Sequence, residues 1–289
     1  NPFYEGKLEC GLNQVTQDAN KQHGLSIRKK DEYGLENKGS ELIHPSRHMY
    51  WIDSSLTRNN TYCAEEKRGT SYINEREIEL AEYIFDELNQ QVGEWKMNHP
   101  KEEWGNHPHL RHIDRHGTLP VAFITFYAKQ KIHFNSKAFA GGSNITEKRW
   151  EHLSIRVDTV DRFQGAESPV VIVSMVRSSP IDDAQAKKLK RLLNNPKISY
   201  ENVFVNTSAN KNQLSIRPPN TGFAKSPNRV NVAYSRAQNL LIVLGNRWAW
   251  NGVSVKIKRD NGDIERPRYY QELMRNTIRG GMLDGRNLL

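Results

Sequence analysis

The chain reads as an α/β protein: a mainly parallel β-sheet flanked by helices, with loop insertions. Three observations predict this. Apolar runs of strand length recur along its 289 residues, at Leu119–Thr125 (LPVAFIT), Val170–Val176 (VVIVSMV) and Leu240–Gly245 (LLIVLG). Segments with helical spacing alternate with them, the pattern of parallel sheets. Two polar segments, TVDRFQGAE (Thr159–Glu167) and RVNVAYSRA (Arg229–Ala237), each stand just before such a run.

Taken in order, residues 1–46 are polar and predict an irregular or hairpin-like lead-in with the charged stretch Arg28–Glu32. RHMYWID (Arg47–Asp53) alternates as a strand does. Asn74 predicts a helix N-cap, with Glu77 three residues on as in a capping box, and Ile78, Ala81, Ile84, Phe85 and Leu88 recur at helical spacing. Residues 93–117 read as a polar loop. After strand Leu119–Thr125 the pattern predicts a helix over Tyr127–Phe139 and a strand over Leu153–Asp158 that delivers TVDRFQGAE. Residues 180–222 resemble an insertion carrying a basic helix, Ala184–Leu193. A helix over Asn228–Gln238 leads into strand Leu240–Gly245. Residues 247–289 form a C-terminal extension, with a hairpin over Val253–Ile264 turned at Asn261-Gly262 and a last helix, Tyr269–Thr277. The whole is expected to be a single domain.

Composition narrows the partners. Lys and Arg exceed Asp and Glu by 9 charges, which favours a polyanion. The longest apolar run, Val170–Val176, is far too short to span a bilayer, so no membrane partner is expected. Two cysteines, Cys10 and Cys63, make no metal site by themselves and are expected to be reduced in a cytoplasmic, intracellular setting. The start NPFYEG lacks a Met and reads as a piece cut from a longer chain. Nothing in the sequence matches G-x-x-x-x-G-K-[ST], the loop that cradles nucleotide phosphates.

The two polar segments carry chemistry suited to a phosphate ligand. Gly165 permits close backbone approach, expected at the carboxyl edge of the sheet, where open α/β sheets bind ligands. Gln164 and Glu167 flank it with an amide and a carboxylate, suited to a water, a ribose hydroxyl or a Mg²⁺ shell. On a helix, Arg229, Ala233, Arg236 and Ala237 share one side, and Arg236 would aim a planar guanidinium at the same edge. Each has a plainer reading: an ordinary strand–turn–strand with Glu167 solvated, or a surface Arg in a salt bridge.

Together the segments resemble a known family. VDTVDRFQGAESPVVIVSMVRS is similar to motif V of superfamily 1 helicases and PNRVNVAYSRAQNLLIVLGN to their motif VI, in the branch that holds the nonsense-mediated-decay RNA helicase and its DNA-acting relatives. VAFITFYAKQ (Val121–Gln130) resembles that branch's motif IV, with Phe126 in place of Pro. GTSYINEREIELAEYIFDEL (Gly69–Leu88) and NPFYEGKL (Asn1–Leu8) resemble the flanking segments. The resemblance implies a second RecA-like domain forming one wall of an ATP cleft. It assigns Gly165 and Glu167 to the nucleotide's phosphate and ribose, Gln164 to a link between nucleotide state and nucleic-acid grip, and Arg236 to the arginine finger. Arg229 would brace motif VI, Thr159 would touch a nucleic-acid phosphate, Arg177 would brace a motif, and Asp161 would cap the short turn. ATP and Mg²⁺ would be held jointly with an N-terminal RecA-like domain, and the partner would be single-stranded DNA or RNA. Both Walker motifs and the Tyr-Arg pair that stacks adenine belong upstream in that family, so this chain alone is expected not to hydrolyse ATP. The alternative is a non-catalytic helicase-like scaffold for nucleic acid or a partner.

Three remaining features are weaker. His99, His107, His109, His112 and His116 crowd one loop, but no Cys lies near and only Asp114 adds a carboxylate; a solvated loop without metal is expected. Lys187, Lys188 and Lys190, with Arg191, make a basic helix that would either track nucleic-acid phosphates or be a solvated face. Trp95, Trp104, Trp248 and Trp250 are candidates for base stacking or for packing.

Overall fold

The computed structural model describes residues 23–30, 36–106, 110–138, 149–206, 208–258, 262–278 and 281–288. Asn1–Leu8, Cys10, His107, His109 and Asn261 lie outside the described residues. Six strands form one sheet: β1 (Met49–Asp53), β2 (Leu119–Thr125), β3 (Leu153–Thr159), β4 (Ser168–Ser174), β5 (Ala237–Gly245) and β6 (Met282–Asp284). Their spatial order is β6-β1-β5-β4-β2-β3, and every pairing between them is parallel. This is the RecA-like α/β architecture.

The apolar runs are continuous because both faces of the sheet are covered. Val170 and Ile172 of β4, with Phe123, Ile242 and Tyr50, face one core together with α1 (Glu75–Asn98) and α2 (Ala128–Ala138). Val171 and Val173, with Ala122, Ile124, Val243 and Trp51, face the other, beneath α4 (Pro227–Tyr234) and α6 (Tyr269–Ile278). Between α4 and α6 lies the one-turn α5 (Arg247–Asn251), whose Trp250 is fully buried and donates to Arg177 O at 2.6 Å.

Several expectations shift. Helix α1 runs on to Asn98, so only the rest of residues 93–117 is loop, with 3-10 turns at Lys101–Asn106 and Leu110–His112. Gly93 does not stop the helix; the His152 ring crosses it so closely that a Cβ there would lie 2.6 Å from the imidazole. Asn74 does cap α1, accepting from Glu77 N–H at 3.3 Å. Glu77, however, turns inward: it is fully buried and accepts from Ser174 Oγ at 2.6 Å and Val176 N–H at 2.8 Å.

That carboxyl group holds a strained corner. Strand β4 ends at Ser174, and Arg177 N–H donates to Met175 O at 2.6 Å across Val176, whose φ is +63°. This is a γ-turn with a β-branched residue at its left-handed centre, a conformation stable only when surroundings enforce it. Asn74 Nδ2 secures the other side, donating to Val176 O at 3.1 Å.

The insertion folds as a lobe with its own core. Helix α3 (Asp183–Leu193) opens with a full capping box between Asp182 and Gln185 and buries Leu189 and Leu192 against Phe204, Leu214 and Ile216. Tyr200 fastens the lobe to the sheet: its hydroxyl donates to Asp53 Oδ2 at 2.7 Å at the end of β1, and the guanidinium groups of Arg247 and Arg286 lie 5.4 and 4.1 Å from its ring centre. In the lead-in, Ile27–Lys30 and Glu36–Ile43 pair antiparallel. In the extension, Ile257–Lys258 and Ile264–Glu265 form the expected hairpin.

Candidate functional site

Because β3 and β4 are parallel and separated by β2, the chain must travel back from the carboxyl edge to the amino edge between Thr159 and Ser168. The distance is about 20 Å along the strands and about 10 Å across two strand spacings, or roughly 22 Å in all. Val160 and Phe163 pin this strap to the sheet face; both are buried, Val160 within a 3-10 turn at Val160–Arg162. Gln164, Gly165 and Glu167 follow, all exposed.

This overturns one expectation. Gln164, Gly165 and Glu167 lie at the amino edge, just before β4, rather than at the carboxyl edge. Arg236 is there too, just before β5. It is not on a helix: α4 ends at Tyr234, and Ser235 and Arg236 form a turn. The cause is non-local, since Ala237 pairs with Ser168 and draws the chain into the sheet before another helical turn can form.

The two segments meet directly. Ser168 N–H donates to Arg236 O at 3.0 Å. Arg236 Nη1 reaches Ala166 O at 3.5 Å, while its Nε donates to Val232 O at 3.1 Å and its Nη2 to Ser235 Oγ at 2.9 Å. The guanidinium is thus half-buried and oriented by three neutral acceptors, with its charge uncancelled by any of them. Gln238 Nε2 donates to Glu167 Oε2 at 3.3 Å alongside. Gly165 has φ +82° and nothing within 4 Å of the place a Cβ would occupy. Its backbone conformation favours glycine, and the space above it is open to a ligand.

Other expected residues fall elsewhere. Asp161 does not cap the turn; the N-cap position is Thr159, without a side-chain cap bond, and Asp161 instead accepts from Arg229 Nε at 2.8 Å. Arg229 therefore ties α4 to the strap. Thr159 ends β3 at the carboxyl edge, remote from Gly165 along the strap. Arg177 also lies at the carboxyl end of β4, where it pairs with Glu65 at 3.2 Å and stacks 3.8 Å over the Tyr72 ring. Lys187 and Lys190 are exposed on α3, and Lys188 donates to Asn210 O at 3.3 Å. None of the three lysines joins the Arg236 edge. Trp248 packs against Tyr200 and Phe204 beneath Arg247. His112, from the histidine-rich loop, accepts from Asn239 Nδ2 at 2.6 Å, and burial and Arg111 depress its basicity. Among the described residues no three His, Cys, Asp or Glu side chains gather as metal ligands, and no helix is long and apolar enough to cross a membrane.

The all-parallel sheet with these two segments locked at one edge agrees with a C-terminal helicase domain of superfamily 1, the class that the following likenesses support. Residues 1–248 match the AAA domain family, and the chain belongs to it. It is also similar to regulator of nonsense transcripts 1 of Dictyostelium discoideum, 24% identical over 273 residues. That match covers 92% of this chain but only 14% of the relative, so the chain spans a small part of that protein's length.

Proposed function

We propose that this chain is the second motor domain of an ATP-dependent helicase or translocase, furnishing one wall of the ATP cleft at its amino edge. The observation that carries this reading is the bond from Ser168 N–H to Arg236 O, which sets Gly165, Glu167 and Arg236 side by side. These residues suit a nucleotide: an oriented guanidinium, a carboxylate and amide of neighbouring chain segments, and open space over Gly165.

In this reading Arg236 neutralises charge growing on the transferred phosphoryl group, as a bidentate donor whose place is fixed before the reaction. Gly165 and Glu167 meet phosphate and ribose oxygens. A Mg²⁺ ion bound with the nucleotide would supply Lewis-acid polarisation, with Glu167 the nearest carboxylate this chain offers and the phosphate loop furnished by a preceding RecA-like domain. Gln164 shares the strap with Thr159, so a change at the nucleotide would pass back along the strap from Gln164 to Thr159 at the carboxyl edge, where single-stranded nucleic acid would be held through its backbone. The chain alone would turn over no ATP.

The test is steady-state ATPase of the gene's full-length product with and without single-stranded nucleic acid, beside the isolated 289-residue chain. Stimulated turnover in the first and none in the second supports the reading. A turnover by the isolated chain that vanishes in Arg236→Ala would overturn it. A full-length sequence without G-x-x-x-x-G-K-[ST] would favour the non-catalytic scaffold.

A further inference from the structure

A second surface lies at the start of α6. Arg266, Arg268, Tyr269, Gln271, Glu272 and Arg275 line a cleft of about 450 Å³. Its single carboxylate, Glu272, faces Arg275 at 3.5 Å one helical turn away. Among the described residues neither Arg266 nor Arg268 makes an ion pair, so the cleft keeps a net positive charge. Arginine's planar fork fits phosphate oxygens in pairs.

The helix that bears the cleft is bonded to the chain segment that carries an exposed aromatic ring. Tyr270 turns inward from the same helix and its hydroxyl donates to Ala224 O, clamping the start of α6 onto the 3-10 turn Gly222–Lys225. The residue before Ala224 is Phe223, whose side chain is 53% exposed. It is the only aromatic among the strongly exposed large hydrophobics of the described residues. Its ring is nonetheless held: Tyr127 meets it edge-on at 5.9 Å and the Arg229 guanidinium lies 5.1 Å from its centre. Gly222 beneath it has φ +50° and leaves no room for a Cβ, which would lie 2.6 Å from Tyr127 Oη. A fixed ring left half open to water forgoes apolar burial that a stacked base would restore.

We propose that Phe223 and the arginine cleft form one binding surface for single-stranded nucleic acid, a base stacking on the Phe223 ring and backbone phosphates entering between Arg266, Arg268 and Arg275. The inference rests on the nucleic-acid reading above and adds a contact surface beyond the two helicase-like segments.

The test is fluorescence anisotropy of a dye-labelled oligothymidylate and oligouridylate with the full-length product, over a salt series. Phe223→Ala should weaken binding about tenfold or more with the salt slope unchanged, and Phe223→Trp should restore it. Arg266→Ala and Arg268→Ala should each flatten the log–log slope by about one. Matching melting temperatures show that the variants fold. Parent binding with all variants indistinguishable from it would overturn this inference alone. No parent binding at all would overturn the nucleic-acid reading with it. Displacement of the oligonucleotide by an equal nucleotide concentration of free mononucleotide would mean a phosphate-compound site and also overturn the strand assignment.

Discussion

Arg229 Nε donates to Asp161 Oδ1 at 2.8 Å, fastening helix α4 to the middle of the strap that leads to Gly165. Both partners are substantially exposed, at 36% and 60%, so the pair adds little to stability. Its effect is positional. A double-mutant cycle with Arg229→Ala and Asp161→Ala should give a coupling below about 1 kcal/mol in urea unfolding. ATPase of the full-length product should fall about ten- to a hundredfold in each single variant, because the strap and Arg236 lose their common register.

Arg236 gives the sharpest test. Its hydrogen bonds go to three neutral acceptors, two of them main-chain carbonyls at the end of α4 and on the strap, so removing the side chain strands no buried charge. Arg236→Ala should lower ATPase about a thousandfold or more and shift unfolding by less than about 0.5 kcal/mol. Arg236→Lys should fail as a substitute, since an ammonium cannot reproduce the planar fork.

Gly165→Ala separates conformation from packing. No atom would touch the added methyl, so the cost is that of φ +82° for an L-residue, about 1–2 kcal/mol. Chemical denaturation should show that loss, and Gly165→Asn a smaller one, because Asn tolerates this region better.

Glu77 makes stability depend on pH. Burial pushes its carboxyl up to about 8, from an ordinary 4.5, although Ser174 and Val176 donate to it. The folded state then keeps a proton that the unfolded state has released. This contribution is therefore full below about pH 4.5 and is lost as pH rises to 8, at no more than about 1.4 kcal/mol per pH unit. Urea midpoints from pH 5 to 8 should carry this downward slope, and Glu77→Gln should flatten it.

Tyr200→Phe tests the anchor of the insertion. Asp53 is buried and loses a charge-directed hydrogen bond in that variant, leaving Arg247 as its nearest cation at 3.5 Å. A destabilisation of about 1–3 kcal/mol should follow. Hydrogen exchange should rise in α3 and Phe204–Val205 while β4 stays protected.

Much of the fold was legible because parallel strands buried on both faces write themselves as unbroken apolar runs: LPVAFIT became β2 without a residue's change. The pairing of the two polar segments was legible from their position before such runs. Which edge they occupy was not, since that depends on the strap crossing the sheet face, a fact of topology rather than of local sequence. AYSRAQ has helical character, and only the long-range pairing of Ala237 with Ser168 ends the helix before Arg236. Strand β6 was missed because three residues carry no period. Its flanking glycines were the available signal: a Cβ at Gly281 or Gly285 would collide with the main-chain oxygens of Met49 and Asp53. Glu77 resembled half of a capping box, which concealed a side chain that serves the γ-turn at Val176. Phe223 carries no signal of its own, since a lone Phe in a polar stretch reads the same whether its ring is packed or open.

The crossing from Thr159 to Ser168 has a consequence for how this chain can diverge. Nine peptide links span roughly 22 Å, and the 3-10 turn at Val160–Arg162 and a second turn closed by Ala166 N–H on Phe163 O shorten their reach, which leaves little slack. Losing one residue would unseat Phe163 or break the bond from Ser168 to Arg236, and gaining one would rotate Glu167 away from Gln238. The lobe after β4 carries no such constraint and is free to lengthen or shrink. In a gene drifting by small insertions and deletions, the strap is a ruler of fixed length, and its residue count should outlast the identity of most residues within it.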